Sequence, residues 1–205
     1  MGFMPCVQQK TVSSVCRVCL HSVPLVQDVQ EGSRGQSAMK ELLLGCGNRT
    51  EKDLSLAGSQ EFTNVVRLDC NKDHNPDVLW DLSVLPLPFA DEEFDEIHAY
   101  EVLEHLAYQG DAEYFFAEFN EYYRLLKHGG IFYASVPAID SPWLWGDPGH
   151  KRVITKDTLI FLDQTFYWQI GKTSMSDYRY LYSGDLRLVF SETHGGKFFF
   201  ALQKY

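Results

Sequence analysis

The run Leu42-Leu43-Leu44, followed at once by Gly45-Cys46-Gly47, constrains this chain more than any other stretch. Three consecutive large apolar residues suit a strand buried on both faces, as in the middle of a parallel sheet. Gly-x-Gly directly after such a strand lets backbone N–H groups approach a ligand that side chains would hold off. By itself the glycine pair is a weak signal, common in ordinary turns. Thr50, Glu51, Lys52 and Asp53 then resemble a capping box with Asp in the acidic place, which predicts a helix after the turn.

The later pattern repeats the alternation of strand and helix. Residues 63–68 are β-rich and end at Asp69. Residues 77–82 (DVLWDL) read as a short third strand, and 94–100 (FDEIHAY) as a fourth, with Glu101 just past it. The clearest helix is 111–128. Phe115, Phe119, Tyr122 and Leu126 share one face there, Asp111 suits its N-cap, and Gly129 and Gly130 suit its end. That aromatic stripe reads as core packing. A fifth strand spans 131–136, and a loop rich in Pro, Trp and Gly runs over 138–152. Thr155 caps a second helix, 156–170, which Gly171 ends. Residues 186–192 and 197–204 form an antiparallel hairpin around His194-Gly195-Gly196. The predicted class is α/β: a doubly wound, mostly parallel seven-stranded sheet with helices on both faces and a C-terminal antiparallel hairpin.

Composition narrows the partners. The 205 residues suffice for one α/β domain with a sizeable core, and 45% hydrophobic and 14% aromatic content marks it as globular. A net charge of −10 argues against broad binding to a nucleic-acid backbone or an anionic membrane. No apolar run approaches the roughly 20 residues of a membrane span, and no signal peptide is legible. Cys6, Cys16, Cys19, Cys46 and Cys70 form no secreted-type framework, so a reducing cytoplasm is the simpler reading. Residues 1–38 differ from the rest and read as a loosely attached extension, with 30–38 as linker and the domain at 39–205. Cys16-x-x-Cys19 invites zinc, with Cys6 and His21 to complete a set. The second Cys pair is missing, and idle thiols are the expectation.

Taken in order, LLLGCGN, VVRLDCN, DVLWDL, LPLPFADEEFDEIHAYEVLEHL and YRLLKHGGIFYASVP resemble the class I S-adenosylmethionine-dependent methyltransferases. They look most like the branch of small-molecule and sugar-modifying members with a PLPF…FD…LEH signature. The resemblance implies a fold of the class already predicted and S-adenosylmethionine as cofactor. It implies that Gly45, Cys46 and Gly47 pass beneath the methionine part, that Asp69 binds the ribose hydroxyls, and that Asn48 and Cys70 belong to the same cofactor site. Asp81 and Leu82 would meet the adenine, and Glu101 the methionine end. A sulfonium cation favours such an acidic site. Two positions depart from the family: Leu43 stands where an acidic residue is common, and Arg49 where a third glycine would be. The second departure counts against a dinucleotide.

Methyl transfer is an in-line displacement, so the protein mainly aligns the partners and excludes water. A hydroxyl acceptor gains from a general base. His105 and Glu104 in EVLEHL, and His150 in GDPGHKR, are the candidates; the bland alternatives are a packing histidine and a mobile loop. Trp143, Trp145, Lys151 and Arg152 would line an acceptor pocket under the 138–152 loop. The motifs of DNA amino-methylating and pyrimidine C5 enzymes are absent from the core. No acidic cluster beside the third or fourth strand builds a catalytic metal site. The expected acceptor is a small molecule or glycan, methylated on oxygen. The alternatives are a nicotinamide-dependent oxidoreductase and a non-catalytic scaffold.

Overall fold

The computed structural model describes residues 38–205. The expectations for Cys6, Cys16, Cys19 and His21, and for the extension that holds them, therefore lie outside the described residues. Seven strands form one sheet: β1 (Glu41–Leu44), β2 (Val65–Asp69), β3 (Val78–Leu79), β4 (Phe94–Tyr100), β5 (Leu126–Pro137), β6 (Leu186–His194) and β7 (Lys197–Lys204). Their order is β3-β2-β1-β4-β5-β7-β6. β1 pairs in parallel with β2 and β4, as do β2 with β3 and β4 with β5. β7 runs antiparallel to both β5 and β6. The chain winds away from β1 in both directions, so β1 and β4 mark the switch point where open α/β sheets bind ligands beyond their carboxyl ends.

The two sheet faces are covered differently. On one, α1 (Ala112–Leu125) lays Phe116, Phe119, Tyr122 and Leu125 against Leu42, Leu44, Ile97, Phe132 and Phe200. Its N-cap is Asp111, whose side chain accepts the Tyr114 N–H. The helix stops at Leu125, short of the expected His128, and Leu126 already belongs to β5. The Leu126 carbonyl accepts from Lys204 Nζ at 2.7 Å, a contact with the neighbouring β7. Gly129 and Gly130 consequently sit inside a strand.

On the other face no helix follows the glycine turn, contrary to the capping-box reading. Residues 48–64 instead cross the sheet as a strap. Lys52, which a helix would have left in solvent, is buried and bridges the carboxylates of Glu41 and Glu96, the latter at 2.7 Å. Glu41 Oε2 accepts the Thr63 and Asn64 N–H groups, Tyr100 donates to the Leu54 carbonyl, and Tyr133 accepts from the Leu56 N–H. The strap's backbone groups thus find partners on sheet side chains, which removes the need for a helical ladder.

Elsewhere β3 shrinks to two residues, and the 156–170 helix is broken. Thr155 does cap a first turn, Lys156–Leu159, through a reciprocal pair with Thr158. Asp163 then accepts the Thr165 N–H and restarts the chain as a 3-10 turn. Among the described residues α1 is the one α-helix longer than four residues, and no helix is long and apolar enough to cross a membrane.

Candidate active site

The carboxyl ends of β1, β2 and β4 surround a cavity of about 240 Å³. Of the residues expected at a cofactor, Gly45, Asp69, Cys70, Asp81, Leu82 and Glu101 line it, together with His105. Trp80, Val102 and Leu106 complete the wall and were not foreseen. Gly45 holds φ +56°, and a Cβ there would meet Val102 Cγ2 at 2.6 Å, so any side chain would collide with the cavity's own wall. Gly47 contributes differently: its N–H donates to Asp69 Oδ2 at 2.8 Å and ties the turn to the end of β2. Cys46 points the other way, buried against Leu43, Tyr100 and Tyr133. Asn48 is exposed and stays outside the cavity wall. Simple alternation would put Cys46 with Leu42 and Leu44; the left-handed backbone at Gly45 breaks the extended register there, and Cys46 joins the Leu43 side instead.

Asp69 is held firmly. Its carboxylate accepts from Gly47 N, Asn71 N (2.8 Å) and His74 Nδ1 (3.1 Å). Burial raises its pKa, but these donors outweigh that and keep it below the usual carboxylate range. Roughly one of a carboxylate's four lone-pair sites remains for a ligand, and His74 is the contact that a ligand hydroxyl could replace. Asp81 is exposed, and the Ser83 N–H holds its pKa down. Glu101 takes φ +57°, unusual for a residue with a side chain. Its N–H donates to the Ser135 carbonyl at 2.9 Å, and Ser135 Oγ donates to its Oε1 at 3.0 Å. Strain of this kind at a strand's carboxyl end is typical of functional positions.

Beyond Glu101 a 3-10 turn, Leu103–His105, faces the 138–152 loop. The loop delivers Gly149 and His150 to it: His105 Nδ1 lies 3.2 Å from the Gly149 carbonyl, and the two imidazole rings meet edge to face at 4.7 Å. Between them lies Glu104, 1% exposed. Burial first, then the nearby Glu101 charge, pushes its pKa up to about 8. No residue of the 138–152 loop, His150 included, is part of the cavity wall, contrary to the expectation of a pocket beneath it; the loop reaches the site through His105. Trp143 and Trp145 are 69% and 78% exposed. Arg152 is buried and spent on an ion pair with Glu118 at 2.7 Å and a hydrogen bond to the Leu103 carbonyl, leaving Lys151 as the exposed cation of the tip. Sequence spacing could have flagged His74, five places after Asp69; nothing local could have announced Ser135 or the isolation of Glu104.

The donor chemistry suits S-adenosylmethionine. Acidic groups at Asp69, Asp81 and Glu101 can take ribose hydroxyls, an adenine amino group and the ammonium, while Trp80, Leu82 and Leu106 offer apolar surface to a base. Residues 42–134 match the family model described as a methyltransferase domain. No curated protein matches. Among solved structures, a SAM-dependent methyltransferase from Archaeoglobus fulgidus is 15% identical, with TM-score 0.50 over 81% of this chain and 86% of that one. A second, from the complex between the Haloferax volcanii Trm112 methyltransferase activator and the putative methyltransferase, is 13% identical, with TM-score 0.51 over 82% and 84%. At such identity the structures establish the shared fold. The matched stretch is a methyltransferase domain, the chain is an enzyme of that type, and S-adenosylmethionine is its cofactor.

Proposed function

We propose that this chain transfers a methyl group to an oxygen of a small molecule or glycan. The observation that carries the reading is the cavity at the switch point of the sheet, with His105 in its wall beside the acidic cofactor residues. The cofactor, when bound, supplies an activated methyl group, which the acceptor oxygen takes with a lone pair while the carbon–sulfur pair stays on sulfur. In this reading Gly45 lets the cofactor lie against the backbone. Asp69 holds the ribose, Asp81 and Leu82 the adenine, and Glu101 the methionine end. His105 has its Nδ1 against a carbonyl, so its Nε2 carries the lone pair that can receive the acceptor's hydroxyl proton. His150 acts from the opposite side of Glu104. The acidic surface, net −10, favours a small acceptor over a nucleic acid. A reducing, cytoplasmic setting belongs to the same proposal.

Calorimetric titration with S-adenosylmethionine, its demethylated product and NAD tests the cofactor assignments; an Asp69→Ala variant that binds normally would remove the ribose role. Transfer of a labelled methyl group to hydroxyl-bearing sugars and phenols, compared with amines and thiols, tests the acceptor. Labelling of amines alone would refute O-methyl transfer.

A further inference from the structure

The carboxylate of Glu104 is buried, yet neither of its oxygens has a hydrogen-bond partner. Buried carboxylates are normally paired or bound to a cation. Two ring nitrogens approach the same oxygen: His105 Nε2 at 4.0 Å and His150 Nε2 at 3.9 Å from Oε1. Both separations exceed hydrogen-bonding distance. Each ring's other nitrogen faces a backbone carbonyl, His105 Nδ1 at the Gly149 oxygen (3.2 Å) and His150 Nδ1 at the Leu144 oxygen (3.3 Å). A carbonyl only accepts, so both Nδ1 atoms carry the proton and both Nε2 atoms present a lone pair. Three electron-pair donors therefore surround one space.

We propose that Glu104, His105 and His150 bind a divalent transition-metal ion of the zinc or manganese class. One ligand atom from each lies within 4.8 Å of the others. Two metal–ligand bonds of ~2.0–2.2 Å at a tetrahedral angle set their ligand atoms roughly 3.4 Å apart, so the three groups must draw together by about half an ångström to an ångström to share one ion. His105, with its side chain 42% exposed, has room to make that shift. Two imidazoles and one carboxylate are a common set for such ions, and ring N–H groups anchored on carbonyls are the usual outer support. The other cluster of this type, Glu41, Glu96 and His98, is already neutralised by the Lys52 ammonium and carries no such proposal. Three protein ligands leave a coordination position open. Because His105 also lines the cofactor cavity, that position would suit an acceptor oxygen, and with the Nε2 lone pair on the ion the metal, in place of His105, would make the bound hydroxyl more acidic; this last point alone rests on the methyl-transfer reading.

The test uses the full chain, stripped with a chelator and titrated with Zn²⁺, Mn²⁺ and Co²⁺ in the absence of S-adenosylmethionine. A Cys6→Ser/Cys16→Ser/Cys19→Ser/Cys70→Ser variant serves as the background, which leaves the buried Cys46 as its one thiol. One equivalent of metal per chain is expected, with a rise in melting temperature and a Co²⁺ spectrum free of thiolate charge-transfer bands. Glu104→Gln and His150→Ala should each weaken Zn²⁺ binding at least tenfold. If either variant is poorly folded, the Co²⁺ spectrum of the background protein still reports nitrogen and oxygen ligands or their absence. No binding by any of the three ions, or binding indifferent to both substitutions, would overturn the proposal. Cofactor titration is read separately, so a failure of methyl-donor binding would count against the methyl-transfer reading and leave the metal result standing.

Discussion

Replacing Lys52 by Met should be among the most damaging single changes to the fold. The substitution keeps a long unbranched side chain but removes the cation from between two carboxylates, Glu41 at 0% and Glu96 at 7% exposure. Breaking a buried ion pair by deleting one partner costs about 3–5 kcal/mol, because the remaining charge is left uncompensated. For a domain of this size that corresponds to a fall in Tm of roughly 6–20 °C. The pH dependence gives a sharper test. In the native chain burial raises the Glu41 and Glu96 carboxyls, but Lys52, backbone N–H groups at Glu41 and His98 at Glu96 outweigh it and hold both below the usual value. A depressed folded pKa contributes stability above the unfolded value of about 4.3 and loses it as pH falls through the folded value. Without Lys52 the sign reverses, since two buried carboxylates prefer to be protonated. Urea melts at pH 7 and pH 5 should therefore show Lys52→Met gaining on the native chain at the lower pH. Adding Glu41→Gln and Glu96→Gln should restore at least half of the loss. A single-variant loss below about 1 kcal/mol, or a gap that widens on acidification, would refute the reasoning.

Three further outcomes are expected. Asp69→Ala should weaken S-adenosylmethionine binding by about 1.5–3 kcal/mol in calorimetry, the range for a hydrogen bond to a charged group, while far-UV dichroism stays native. Gly45→Ala should lower cofactor affinity at least tenfold, and Val102→Ala in the same chain should recover part of it, because Val102 Cγ2 is the atom the new methyl meets; no recovery would mean that the +56° backbone alone sets the requirement. A chain starting at Met39 should bind the cofactor within about threefold of the full chain, under ~1 kcal/mol, and a larger loss would give residues 1–38 a place in the site.

The strands were legible because their signal is local. Alternation puts Leu42 and Leu44 on one face and Leu43 on the other, and that rule holds wherever the neighbours are. The missing helix after Gly47 was not legible. Thr50 to Asp53 does carry a helical start, and what overrides it is Glu41, Glu96, Tyr100 and Tyr133, distant in sequence and aligned only once the sheet has formed. The site divides in the same way. Asp69, Asp81 and Glu101 follow strand ends, so motif order was enough to find them. Glu104 could be named as a candidate, but its isolation depends on Gly149 and His150 arriving across 44 residues. Trp143 and Trp145 mislead for the opposite reason: an aromatic in a loop invites a binding role, and only packing decides whether it faces a pocket or solvent.

The strap over the second sheet face has a consequence for how this sequence can drift. Apart from the Lys52 side chain, its fastenings are made to main-chain atoms of Leu54, Leu56, Thr63 and Asn64, which every residue except proline can provide in full. The opposing halves of those fastenings are particular hydroxyls and carboxylates on Tyr100, Tyr133 and Glu41. Substitutions should therefore accumulate unevenly across one contact, freely at exposed strap positions such as Leu56 and scarcely at the strand residues beneath. Proline is the exception on the strap side, and Leu54, which both donates to and accepts from Tyr100, is the position where it would do the most harm.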